Sequence, residues 1–431
     1  MTIIDLAGGG ARQGRGAARL TGAARAAGRV LTAIAAAALV AACASTPRGA
    51  GDGRTLSQSA PSAPAINQDV GAVPVDANGR AVVALLSPTG DSRPQIRQLA
   101  QSIANAARLA RSDIGDSRLD LRIYDTKGTV DGAAVAANQA VADGAGLILG
   151  PFFAQPSRAI APIAARAGVG VISFSTDRAV AGDNLYLIGF LPGQEVPRVV
   201  DYARGRGIAT LSALAPTGAY GDLLMSAMRS AAARSGGRLV DEERYERSFR
   251  PIEAAMTRYA ERHRARAETD PIQGVIIADQ GQALQSLAAY LAYLDVSPRE
   301  VKFLGVDGWS AEATLKEPAL RGGWFAAPDP RLREQFAARF GDAYGVAPHP
   351  LASLGYDAVA AAGAMLADAR AKGDRFPFTS QAITDPAGFA GVNGVYRFQP
   401  NGLNERGLAV LEVGPDGFRI IDPAPTSFTG I

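Results

Sequence analysis

Hydroxyls, one acid and a few aromatic rings follow short apolar runs along this chain, and these side chains are suited to holding a small polar molecule. They are Ser87, Thr89 and Gly90 after AVVALL, Pro151 and Phe152 after GLILG, Ser173, Ser175 and Thr176 in VISFST, Tyr220 in AYGDLL, and Asp307 and Trp309 in FLGVDGW. Hydroxyls and backbone N–H groups at helix starts suit a carboxylate or another anion. Tyr220 and Trp309 offer apolar faces, and Asp307 would pair with a cation. Each has a plainer reading, since serine and threonine also cap helices and Asp307-Gly308 also turns a chain.

Patterns for catalysis are missing. No GxSxG precedes a helix, no GxxxxGK loop occurs, and GAGLILG lies inside a strand instead of opening a helix. His263 in ERHRARAE reads as a solvated helix residue and His349 in APHPLAS as a loop residue, so neither is spaced to serve a serine nucleophile. Two distant histidines and one cysteine form no metal motif. The expectation is a protein that is not an enzyme, with no catalytic residue, cofactor or metal. RHRAR is basic, but Glu268 and Asp270 follow it, so it reads as a solvated face and no nucleic-acid partner is expected.

The elements that must position these residues alternate. AVVALLS, LDLRIYD, GLILG and VGVISFS read as strands, separated by helices such as QIRQLAQSIANAARLARSD, where Ile96, Leu99 and Ile103 recur at helical spacing. The same grammar restarts at GIATLSALAP and runs through GVIIAD to VKFLGVDG. Parallel strands joined by crossover helices make twisted sheets covered on both faces, so the fold class is α/β with two lobes, each a doubly wound, mostly parallel sheet. In such sheets ligands gather beyond the carboxyl ends of the strands, the rule that selects the residues above. GVYRFQPNG with LAVLEVGPDGFRII reads as a terminal hairpin.

Cys43, the only cysteine, follows a positive lead (Arg12, Arg15, Arg19, Arg25, Arg29) and the apolar run VLTAIAAAALVAA. That pattern reads as an export signal over residues 1–42, too short to span a bilayer. The signal carries five arginines and one aspartate, a net of +4, so the whole-chain +3 becomes about −1 for the mature chain. Val40-Ala41-Ala42-Cys43 resembles the bacterial lipobox, which implies that Cys43 receives lipid and becomes the first mature residue. By the sorting rule of such lipoproteins, Ala44 after the cysteine implies the inner leaflet of the outer membrane, facing the periplasm. Residues 43–80, rich in Pro, Gly, Ser and Ala, read as a flexible tether.

Residues 81–423 resemble the type I periplasmic binding proteins of the leucine, isoleucine and valine class through VVALLSPTG, GLILGPFF, VGVISFST, AYGDLL and FLGVDGW. The resemblance implies lobe one at about 81–195 and 328–376, lobe two at about 196–327 and 377–423, and a tail at 424–431. It places Tyr220 and Asp307 as an aromatic wall and an acid for a ligand amine. The chain departs from those binders at Ala154-Gln155-Pro156, where they carry a serine for the ligand carboxylate, and at Leu191-Pro192-Gly193, where they carry a second acid. With the lipobox and tether, GVNGVYRFQPNGLNERGLAVLEV also resembles lipoproteins described as penicillin-binding protein activators. That likeness implies a regulator of peptidoglycan synthesis whose partner is a penicillin-binding protein. The other expectation is a receptor or ABC-transporter binding protein for an amino acid, peptide or similar small polar molecule.

Overall fold

Alternating buried strands and one-sided helices are what the computed structural model shows over the residues it describes, 70–429. The export signal and Cys43 lie outside the described residues. Lobe one begins with β1 (Ala81–Ser87), α1 (Pro94–Ile114), β2 (Leu119–Asp125), α2 (Val130–Ala142), β3 (Ala145–Leu149), α3 (Ala154–Arg166), β4 (Gly170–Ser173) and β5 (Leu185–Leu187). The strands pair in the order β2-β1-β3-β4-β5, all parallel. In α1, Pro94 opens the helix, Ile96, Leu99 and Ile103 are buried, and Gly115 ends it at φ 67. β3 is buried along its whole length, as a strand covered by helices on both faces must be.

Lobe two runs through α4 (Glu195–Gly205), β6 (Thr210–Pro216), α5 (Ala219–Arg234), β7 (Arg238–Tyr245), α6 (Phe249–Arg266), β8 (Gly274–Ile277), α7 (Gly281–Tyr293), β9 (Lys302–Gly305), α8 (Glu312–Leu315) and β10 (Trp324–Ala327). The chain then returns to lobe one with α9 (Pro330–Tyr344), α10 (Ala352–Ala371), α11 (Ser380–Ile383), β11 (Phe389–Gly391), β12 (Gly394–Phe398) and β13 (Asn404–Arg406). Finally β14 (Ala409–Val413) and β15 (Phe418–Asp422) complete a second sheet ordered β15-β14-β10-β9-β8-β6-β7. Its first five strands in sequence are parallel, and the last two are antiparallel. Of the basic run on α6, Arg262 pairs with Asp241 and Glu243 of β7 and Arg266 with Asp270, while Arg264 is exposed.

Two expectations need correction. Residues 377–406 do not join lobe two: Phe378, Ile383, Phe389, Tyr396 and Phe398 are buried in the core that holds Leu99 and Val83 of lobe one. Each large apolar side chain so covered contributes about 1.5–3 kcal/mol, which keeps the segment on lobe one. The terminal hairpin is therefore β14–β15, while GVYRF (β12) pairs with β11 and β13. Likewise residues 70–80 are not free tether. Val70 is buried, and the Gly71 and Ala72 N–H groups donate to the Gly168 carbonyl. Val70, Val73 and Val75 supply the apolar contacts that a free linker would lack.

Three strands of chain thus cross between the lobes, at about 188–194, 328–329 and 407–408. Their joints are held by side chains bonded to backbone. Asn404 Nδ2 donates to the carbonyls of Leu187 (2.7 Å) and Gly189 (2.9 Å), Arg406 Nη2 to that of Ile188 (2.5 Å), and Arg198 Nε to that of Leu408 (2.9 Å).

Candidate functional site

The carboxyl ends of both sheets face a cavity of about 470 Å³ between the lobes. Lobe two contributes Tyr220 at the start of α5, Gln280 after β8 and Asp307 after β9, while Phe190 and Glu195 come from the first crossing and the start of α4. Lobe one contributes Thr176 after β4, Arg333 and Phe336 of α9, and the 348–354 segment that leads into α10. Phe336, Leu351 and Leu354 supply apolar wall from lobe one, and the lining also carries two acids, Glu195 and Asp307.

Glu195 is the unusual group. Its Oε2 is buried and has no hydrogen-bond partner. Burial, then the nearby Asp307 charge, pushes its carboxyl up to about 7. Tyr220 stands beside it, its hydroxyl pushed up by burial and then by the Glu195 and Asp279 charges. Behind Tyr220, Arg247 lies 5.2 Å from the ring centroid and donates from Nε to Asp279 Oδ1 (3.0 Å), an acid that also accepts from Tyr245 Oη (2.9 Å). The exposed Arg247 thus joins the ring to the buried Asp279, and Asp279 is already satisfied. Asp307 meets Arg333 at 3.6 Å. Phe190 lies beneath two guanidinium groups, Arg333 at 5.6 Å and Arg406 at 4.7 Å.

Of the residues selected from sequence, the structure brings Thr176, Tyr220 and Asp307 to this cavity. The others sit elsewhere. Ser87 is buried and donates to the Ala100 carbonyl, Gly90 N–H donates to Asp125 Oδ1, and Thr89 turns the loop by donating its N–H to the Ser87 carbonyl. Phe152 is core, packed at a tilt against Phe174 with centroids 5.1 Å apart, and Pro151 is buried beside it. Ser173 Oγ donates to the Pro151 carbonyl (3.0 Å), meets Ser157 Oγ (2.8 Å) and accepts from Ser175 N–H, while Ser175 Oγ accepts from Asp177 N–H. Trp309 is fully buried and its Nε1 donates to the Ile277 carbonyl at 3.1 Å. The hydroxyls of Ser87, Ser173 and Ser175 and the indole N–H of Trp309 are taken up by the fold.

Sequence reasoning missed Glu195, Arg333, Gln280 and Phe190. Glu195 supplies an acid two residues beyond Gly193, because the chain turns at Gly193 (φ 86) before α4 begins. It puts an acid in the cavity lining where residues 191–193 supply none. Arg333 gave no sequence signal, since it is one of several arginines on an amphipathic helix. His349, read as a loop residue, lies in a loop that lines the cavity, and its Nδ1 accepts from Leu351 N–H. Among the described residues no group of three or more His, Cys, Asp or Glu is gathered to hold a metal ion, and no helix is long and apolar enough to cross a membrane.

Comparison with known proteins gives this geometry a family. Residues 82–417 match the model of the periplasmic binding protein family. Among solved structures, the chain is similar to a putative branched-chain amino acid ABC transporter protein from Rhodospirillum rubrum, at 21% identity and a TM-score of 0.66, covering 79% of this chain and 100% of that one. An ABC transporter substrate-binding protein from Desulfitobacterium hafniense, solved with Leu, matches at 20% identity and 0.56 over 79% and 100% of the two chains. A solute-binding protein from Rhodopseudomonas palustris BisB5, solved with 3,4-dihydroxybenzoic acid, matches at 17% and 0.52 over 80% and 97%. No curated protein matches. The chain belongs to the periplasmic binding protein family, and its family and fold are those of ligand-binding proteins.

Proposed function

We propose that this chain captures, between its lobes, a small molecule that carries a protonated amine beside an apolar body. It would act as a receptor or as the substrate-binding component of an ABC transporter. The observation that carries this reading is Glu195, a buried carboxyl with an unpartnered oxygen, set in one wall with Asp307 and Tyr220. A buried acid without a fixed cation is costly when ionised, so an incoming ammonium group gains both charge pairing and a hydrogen bond. Phe336, Leu351 and Leu354 then cover the apolar part. Leu, named with one solved relative, is a small molecule with such an amine and an apolar body and supports the reading. Native mass spectrometry of the chain purified from cell extract, followed by titration with amino acids and small peptides, tests it. Finding no saturable ligand would overturn it.

A second reading rests on the sequence ahead of the folded body. In it Cys43 is lipidated, residues 44–69 form the tether, and the protein hangs from the inner leaflet of the outer membrane to stimulate a penicillin-binding protein by contact. It ranks below the first because residues 391–413, which carried the likeness to synthase activators, have their polar groups engaged internally. Asn393 bonds Asp357, Asn404 bonds Leu187 and Gly189, and Arg406 bonds Ile188. Gene deletion tests this reading, and unchanged β-lactam sensitivity together with no co-purifying synthase would remove it.

A further inference from the structure

We propose that Arg333 is both an internal competitor for this cleft and its anchor for anions. Without ligand its guanidinium crosses from lobe one to the Asp307 carboxylate of lobe two, and a ligand binds by exchanging that pair. The inference rests on the cleft reading above and adds a selectivity and a latch to it.

The geometry begins with the two elements that carry the pair. Arg333 stands on the first turn of α9, whose Phe336 and Phe340 are embedded in the lobe-one core. Asp307 follows β9 in lobe two. Their atoms meet at 3.6 Å, an ion pair too long for a good hydrogen bond, so the pair bridges the cleft without locking it. Arg333 is steadied from its own lobe: its Nε donates to Asn393 Oδ1 (3.2 Å), and Asn393 Nδ2 donates to the buried Asp357 (2.9 Å). Its guanidinium also lies over Phe190.

Among the described residues Arg333 is the one arginine or lysine that lines the cavity. Lobe one's other donors at the cavity are the uncharged hydroxyls of Thr176 and Ser353, the Ser353 Oγ being buried and unpartnered, so Arg333 is the charged group an anion would meet, while Ser173 and Ser175 are bonded within the fold and Gln155 lies away from the lining. A plain amine that takes Asp307 leaves Arg333 half-buried and unpaired. A molecule with an amine and a carboxylate close together replaces both halves of the pair: its ammonium joins Asp307 and Glu195, and its carboxylate receives Arg333. The cleft therefore favours zwitterions over amines of the same shape.

Two readouts test this on the chain carrying Cys43→Ser, with Arg333→Gln and Arg333→Lys as variants whose melting temperatures are checked first. In the first, spin labels are placed through Val135→Cys on lobe one and Tyr293→Cys on lobe two, both exposed sites. The interlobe distance distribution without ligand should lengthen or broaden in Arg333→Gln and stay near the parent in Arg333→Lys. In the second, amino acids are titrated beside their decarboxylated amines, for example leucine and 3-methylbutylamine. The parent should prefer the tightest-bound amino acid at least tenfold over its amine, and Arg333→Gln should lose that preference by weakening the amino acid alone. An unchanged distance distribution, or a preference retained in Arg333→Gln, overturns the proposal. If no compound binds the parent while the distances shift, the amine-capture reading falls and the latch stands.

Discussion

The two lobes present the same architectural edge to the cleft, the carboxyl ends of parallel strands, yet they use it in opposite ways. On lobe one Thr176 reaches the cavity, but the serines at that edge face inward: Ser173 bonds Pro151 and Ser157, and Ser175 caps Asp177. On lobe two the polar groups face outward, with Tyr220 and Asp307 in the cavity wall and Glu195 beside them. The difference shows that strand-end position selects a neighbourhood, whereas hydrogen-bond satisfaction decides which of its residues remain available to a ligand.

The comparison can be broken most forcefully at Trp309, which the sequence offers as a ligand wall and the structure places in the lobe-two core. Trp309→Ala should destabilise the protein by about 3–5 kcal/mol through the cavity it leaves, read by chemical denaturation. If stability hardly changes while ligand binding is lost, Trp309 belongs to the cleft after all. Next, Asp307→Ala or Glu195→Gln should weaken ligand binding by about thirtyfold or more, the loss expected when a charge-assisted bond of about 2–3 kcal/mol disappears, with little change in melting temperature. Ser173→Ala should do the reverse. It leaves Ser157 and the Ser175 N–H short of a partner, costing about 1–3 kcal/mol of stability, and calorimetric titration should find affinity unchanged.

The smallest effect is the dependence on pH. Glu195 titrates near 7 in the folded chain, raised from the ordinary value of 4.5. The folded state therefore holds an extra proton between those values. Its stabilising contribution is complete below about 4.5 and is lost as pH rises through about 7. A cationic ligand needs the ionised form, so its affinity should fall by up to about tenfold per unit as pH drops below 7. Titrations from pH 5.5 to 8 should follow this curve, and Glu195→Gln should flatten it. A slope that survives in Glu195→Gln would assign the proton to another group.

Much of the α/β alternation was legible in the residues because it is a local property. Leu99 and Ile103 fall on one face of α1 by spacing alone, and the apolar run of β3 tells of cover on both sides. Tyr220 and Asp307 were also legible, since each follows a strand in an order the family shares. Two things were not. That residues 377–406 stay on lobe one depends on which core has room for Phe378 and Tyr396, and no local pattern encodes that. The same holds for Val70 and Gly71, which look like tether until Gly168 offers them a carbonyl.

What the sequence determined by itself was the set of elements, their two-lobed repetition and the strand ends at which a ligand would be met, because these follow from hydrophobic period and chain order. Only the tertiary structure decided which side chains at those ends are free. Ser173 and Trp309 are spent on partners 22 and 32 residues away, and Arg333 meets Asp307 across the cleft. The physical reason is that a polar group's availability depends on every donor and acceptor brought within about 3 Å of it, and those neighbours are chosen by the fold as a whole.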